Sequence, residues 1–225
     1  MSTMLTRGGR MVDLLNVKPE DIDLADIAWA LAHTCRFMGH PRRHYSVAEH
    51  SINVARLLPE PIKIYGLLHD AHEAYIGDIS TPTKRALALG LDVLLTNWGS
   101  EDPDLGVVDA FNKTLAAVER HIIEAIHEKL GVAWPVSPHV MAAVKYADVT
   151  MGEWELRQLF DGYRVPEGEL STLPMPSWNI LDLPDAPNKT VCQAFCLNVH
   201  LAKALAAGVP LEEVQEFAAT TVATW

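Results

Sequence analysis

The sequence predicts an all-α fold in one domain, and three observations carry that expectation. Apolar residues recur at helical period through most of the chain. The breaks between those segments fall where capping chemistry places them. With 225 residues, 49% of them hydrophobic, the chain can bury a substantial core and stays within the size of a single domain spanning residues 1–225.

The elements follow in order. A Gly-rich lead-in at 6–15 reads as a small hairpin, and a first helix is expected over 24–35, ending at Arg36-Phe37-Met38-Gly39. The next opens at Ser46, because Ser46-Val47-Ala48-Glu49 forms a capping box in which hydroxyl and carboxylate each bond the other residue's amide. That register puts Val47, Ser51, Val54 and Leu58 on an apolar stripe with His50 at its inward edge. A third helix starts after Glu60, with Pro61 in its first turn, and carries Ile62, Tyr65, Leu68, His69 and His72 to Gly77. Thr81-Pro82 begins another, leaving 78–80 as a short loop. A looser stretch at 97–104 is followed by long helices at 107–130 and 137–159, the first with alternating charges that suit an exposed face. Residues 166–188 read as an ordered excursion around the core. Helices at 190–207 and 211–223 close the chain by packing on it, with Cys192 and Cys196 as core residues.

Composition excludes several classes. The net charge is −11 and the basic residues are scattered, so the footprint of a duplex-binding protein is absent. Three cysteines make neither a disulfide framework nor a Cys-x-x-Cys zinc site. No signal-peptide pattern or bilayer-length apolar run is present, so a soluble cytoplasmic protein without membrane partners is expected.

The chemistry concentrates in Tyr65-Gly66-Leu67-Leu68-His69-Asp70-Ala71-His72-Glu73-Ala74-Tyr75-Ile76-Gly77-Asp78. His69 and Asp70 sit in a stretch otherwise suited to burial, where unpaired charge is costly and a cation offsets the cost. An isolated His-Asp dipeptide is more often a core histidine beside a surface acid. Two further positions shift the balance: His50 upstream, and Asp148, which helical spacing groups with Val144, Ala147 and Met151. His50, His69, Asp70 and Asp148 are therefore the expected ligands of one divalent ion. Manganese, cobalt, zinc, iron and magnesium suit such a thiolate-free set about equally. In a continuous helix, His69, His72 and Glu73 project from one side. The order His-x-x-His-Glu matches neither peptidase signature, and P-loop and serine-elbow motifs are missing. Lys84, just after a helix start, is a candidate phosphate ligand, with a solvated surface lysine as the alternative. Phe37 is a candidate base-stacking platform, and core packing accounts for it equally well. His40, His44 and His72 read as loop or supporting histidines.

His50, His69-Asp70 and Asp148, in that order, resemble the four-ligand signature of the HD-domain phosphohydrolases, all-α metal enzymes that cleave phosphate esters. Arg36-Phe37, Tyr45-Ser46-Val47-Ala48-Glu49-His50-Ser51, His69-Asp70-Ala71-His72-Glu73 and Gly77-Asp78-Ile79-Ser80-Thr81-Pro82-Thr83-Lys84 are similar to the bacterial 5'-deoxynucleotidases and phage dATP triphosphohydrolases. The resemblance covers about residues 10–155. It implies an HD-type helical bundle with a single buried metal site, a cytoplasmic location (the host's if phage-encoded) and a homo-oligomer. It also implies hydrolysis of the 5' phosphoester of deoxynucleotides, deoxyadenosine nucleotides first. A broad 5'-deoxynucleotidase acting on monophosphates, a signalling-nucleotide hydrolase and a non-catalytic nucleotide sensor are the alternatives. By the same resemblance Glu73 and Asp78 are the catalytic carboxylates, in an order left open, and Arg36 clamps phosphate. The resembling enzymes often carry a tryptophan near Arg36. Phe37-Met38-Gly39 departs from that pattern, which leaves base and sugar selectivity open.

Overall fold

A computed structural model describes residues 2–97, 106–164 and 188–210. The loop expected at 97–104 lies outside these residues apart from Asn97, as do the excursion expected at 166–188, apart from Asn188, and the helix expected at 211–223. The described chain is helical apart from one hairpin, in which β1 (Thr3–Leu5) pairs antiparallel with β2 (Met11–Asp13). The hairpin begins three residues earlier than the glycine-rich lead-in suggested. Its turn is tied to the first helix, because Asp26 accepts from Thr6 Oγ1 and from the Gly8 amide, each at 2.7 Å.

Helix α1 (Leu24–His33) is capped by Asp23, which accepts from the Ala25 amide at 2.8 Å. It stops two residues before the expected end because the backbone finds other partners. Val47 N–H donates to Thr34 O and Arg36 N–H to Tyr45 O, drawing residues 34–36 alongside 45–47. A short 3-10 turn, Arg36–Gly39, follows. Phe37 and Met38 both take left-handed backbone (φ 53° and 56°), which costs a residue with a Cβ roughly 1–2 kcal/mol. The turn therefore depends on its surroundings to hold it.

The expected capping box opens α2 (Val47–Arg56): Ser46 Oγ accepts from the Glu49 amide at 3.2 Å, and Glu49 Oε2 accepts from the Ser46 amide at 2.8 Å. The helix is buried from Val47 to Ala55, not along one stripe, because its polar residues Glu49, His50 and Asn53 all have partners. One apolar cluster lies on one side of it, with Ile27, Leu31, Ile52, Leu67, Ile126 and Phe195 among its members. A second holds Tyr45, Val54, Leu58, Val144, Met151 and Trp154.

The third helix is the main departure from expectation. It is not continuous: α3 (Lys63–Leu68) gives way to a turn at His69–His72, and α4 (Glu73–Ile76) resumes. Through the turn the bonds tighten to three-residue spacing, as in Ala71 N–H to Leu68 O and Glu73 N–H to Asp70 O, both 3.0 Å. His69, His72 and Glu73 therefore do not share one helical frame. Gly77 ends α4 with φ 78°, as its position predicted. Then come α5 (Thr81–Asn97), α6 (Val107–Leu130) and α7 (Pro138–Leu159), the last capped by Ser137. Helix α8 (Asn188–Ala206) packs on α1, α2 and α3, burying Cys192 and Cys196 as expected. Among the described residues no helix is long and apolar enough to cross a membrane.

Gly66 is what lets α3 lie against α2. A Cβ there would stand 2.6 Å from Leu58 Cδ1 and 3.1 Å from the Ala55 Cα. Overpacking of this kind costs about 1–3 kcal/mol, and Ala regains at most about 1 kcal/mol through helix propensity. Gly66→Ala is thus expected to lower stability in urea titration; unchanged stability would mean that the two helices are not in close register.

Candidate metal centre

Three segments deliver the centre. The capping box fixes the register of α2 and points His50 into the interior, fully buried. His69 and Asp70 enter from the turn after α3, and Asp148 from the middle of α7. His50, His69 and Asp148 each offer one ligand atom, all within 4.8 Å of one another. His50 Nε2 lies 3.3 Å from His69 Nε2 and 3.2 Å from Asp148 Oδ1. Asp70 Oδ2 flanks both rings, 3.0 Å from His69 Nε2 and 3.6 Å from His50 Nε2.

The far side of each ring settles what the near side presents. His69 Nδ1 is 2.8 Å from Gly66 O, and a carbonyl only accepts, so Nδ1 carries the proton. His50 Nδ1 is 2.6 Å from Glu155 Oε1, a carboxylate that likewise accepts. In the neutral rings both Nε2 atoms then bear lone pairs, and they face one another beside two carboxylates. An array of acceptors with no donor among them calls for a cation. The donor set fits a divalent metal ion without thiolate preference.

The surrounding charges fit that demand. Burial pushes the Asp70 and Asp148 carboxyls up, but their histidine neighbours prevail and hold both well below the usual range. His50 is pushed down by burial and by Arg36; Glu155 and Asp148 outweigh this and take it up to about 9. Glu73 is driven the opposite way from the ligands. Burial first, then Asp70 and Asp78, push its carboxyl up to about 10, and its Oε2 is buried without a hydrogen-bond partner. Asp78, in the loop after Gly77, is also raised, chiefly by burial.

The expected site residues thus gather, though not all as drawn. Arg36 lies at the centre with its head between two acids: Nε is 3.2 Å from Glu155 Oε2 and Nη1 3.7 Å from Asp70 Oδ2. Phe37 stands edge-on to Phe160, ring centroids 5.3 Å apart. Lys84 is half-buried, with its Nζ 2.8 Å from Glu119 Oε1 on α6. His72 is buried with Nε2 4.0 Å from the same oxygen, while His40 and His44 are exposed. Sequence reasoning missed Glu155 and Glu119. Glu155 had a visible signal: it follows Asp148 by seven residues, two turns along one helix face.

A helical protein with a buried His/Asp centre able to hold a metal ion is the class that fold and site define. No family model matches the chain. It is 34% identical over 160 residues to protein YfdR of Escherichia coli, covering 71% of this chain and 73% of YfdR. It is 29% identical over 160 residues to protein RCAP_rcc00048 of Rhodobacter capsulatus, covering 67% and 69% respectively. The chain belongs to the family of YfdR. Both relatives are described as uncharacterized, so kinship assigns no chemistry.

A metal ion and a proton compete for His50 Nε2, which sets two pH dependences. Affinity for Co²⁺ is expected to rise about tenfold per pH unit toward pH 9 as that proton is displaced. Without metal, the raised value stabilises the fold below the ordinary 6.5, and the contribution is lost as pH climbs through 9. The difference is on the order of 3 kcal/mol. In urea titrations of chelator-treated protein at pH 6 and 9.5 the raised Glu73 carboxyl lowers stability in the same direction, so the His50 share is the part of the fall that disappears in His50→Ala, and an unchanged fall there would contradict the assignment of His50.

Proposed function

We propose that this protein is an HD-type, metal-dependent phosphohydrolase that cleaves the 5' phosphoester of deoxynucleotides. The observation that carries the proposal is the meeting of two opposed environments. An acceptor array suited to a cation, at His50, His69, Asp70 and Asp148, adjoins a buried carboxyl, Glu73, that retains its proton. A divalent cation bound at the array would supply positive charge to a phosphoryl group and acidify water. Hydrolysis joins a water oxygen to phosphorus, breaks the bond from phosphorus to the 5' oxygen and delivers a proton to that oxygen.

Glu73, held protonated near neutral pH, suits the delivery of that proton. Asp78 is raised less and takes a proton from the attacking water. Arg36 and Lys84 bring positive charge to the phosphate, each already braced by an acid, Glu155 and Glu119 respectively. Phe37, fixed by the left-handed turn beside Arg36, offers a ring edge or face for the base. Adenine as the preferred base rests on the resemblance alone.

A nucleotide screen on metal-loaded protein, with separate phosphate and nucleoside readouts, tests the activity. Release of deoxynucleoside is expected, and turnover confined to guanosine tetraphosphate or cyclic dinucleotides would reject it. Asp148→Ala should lose both metal and turnover; retention of both would remove it from the ligand set. Glu73→Gln should keep metal and fold but slow deoxynucleotide hydrolysis by about 10²–10⁴-fold. The loss should be far smaller with p-nitrophenyl phosphate, whose leaving group needs no proton. Equal losses on both substrates would show that Glu73 is not the proton donor.

A further inference from the structure

Glu155 touches both halves of the centre. It is fully buried on α7, and both its oxygens are occupied. Oε1 accepts from His50 Nδ1 at 2.6 Å and from the Tyr45 hydroxyl at 2.8 Å. Oε2 accepts from Arg36 Nε at 3.2 Å. Tyr45 is itself held, accepting from Asn53 Nδ2 at 3.0 Å, so the carboxylate stands in a bonded frame that fixes its direction.

We infer that Glu155 is a positioning residue that ties the metal-ligating His50 to Arg36, so that one buried carboxylate sets both the donor nitrogen of the centre and the direction of the guanidinium. Two physical effects follow from the geometry. An acceptor at Nδ1 fixes the tautomer and ring orientation and makes Nε2 a better donor, and losing such a partner typically weakens metal binding 10- to 100-fold. A guanidinium gripped at Nε has fewer orientations to give up when a phosphate arrives. The metal half of the inference is independent of the proposed activity, whereas the phosphate half rests on it.

Co²⁺ serves as probe, through both its affinity and its visible absorption bands. In Glu155→Gln, calorimetric titration of metal-stripped protein should show 10- to 100-fold weaker Co²⁺ binding, with shifted bands from the altered His50. At saturating Co²⁺, binding of inorganic phosphate should weaken at least tenfold. Wild-type affinity and bands in the variant would overturn the inference. Weakened Co²⁺ with unchanged phosphate binding would overturn the link to Arg36. Glu155→Asp, which keeps the charge and shortens the reach, decides the matter if the glutamine variant does not fold: at least tenfold weaker Co²⁺ is expected, and wild-type affinity overturns it. Intact Co²⁺ and phosphate binding in wild type, with no nucleotide cleaved, would reject the proposed activity and leave the metal half of the role of Glu155 standing.

Discussion

In their neutral forms, two imidazoles whose Nε2 atoms lie 3.3 Å apart, each with its proton on the far side of the ring, cannot satisfy one another, and two carboxylates press on the same space. Leaving such groups unpaired costs several kcal/mol per charge even after relaxation. Much of the surrounding architecture answers this constraint. Helix α2 can be buried along its length because each charged residue on it is met: Glu49 by Arg43 and the Ser46 amide, His50 by Glu155. Gly66 serves twice, letting α3 approach α2 and turning its carbonyl to His69 Nδ1. Lys145, one turn before Asp148, lies 2.8 Å from the oxygen that Asp148 does not point toward His50.

What the sequence disclosed was local, and what it hid was long-range or a departure from ideal geometry. The Ser46 capping box, the end of α4 at Gly77 and the span of α6 follow from residues within a few positions of one another. Periodicity could not reveal the break at His69–His72. Apolar spacing there suits a continuous helix, whereas tightened three-residue bonds bring Asp70 within 3.0 Å of His69 Nε2. Nor does Arg36-Phe37-Met38 advertise left-handed backbone, since neither Phe nor Met favours it; the pairing of residues 34–36 with 45–47 imposes the turn from outside.

The same division holds within the site. His50, His69, Asp70 and Asp148 were legible because each sits among apolar neighbours, where a polar residue needs a reason. Glu119 was not, because on a helix of alternating charge it looks like one more solvated acid. Its bond to Lys84 and approach to His72 appear only once α6 lies beside α5. Glu155 is 105 residues from His50 and 119 from Arg36, and spacing within α7 alone hints at it. Membership in the family of YfdR extends the fold to a relative without naming a reaction, so the chemistry rests on these contacts.

Charge balance also orders events at the centre. Asp70, Glu73, Asp78, Glu119, Asp148 and Glu155 surround it, against Arg36, Lys84, Lys145 at the outer oxygen of Asp148 and, when protonated, His50, each of which already faces an acid. Two like charges about 4 Å apart repel by about 4 kcal/mol at the effective dielectric near a protein surface. A phosphate approaching this array alone therefore meets net repulsion, in a protein whose overall charge of −11 adds no long-range attraction. Protonation of Glu73 removes one of the charges, and pairing by Arg36 offsets another. The remainder must be neutralised at His50, His69, Asp70 and Asp148 before a polyanion can settle. On the proposed activity, phosphate binding would therefore be conditional on an occupied centre, through electrostatics that need no conformational change.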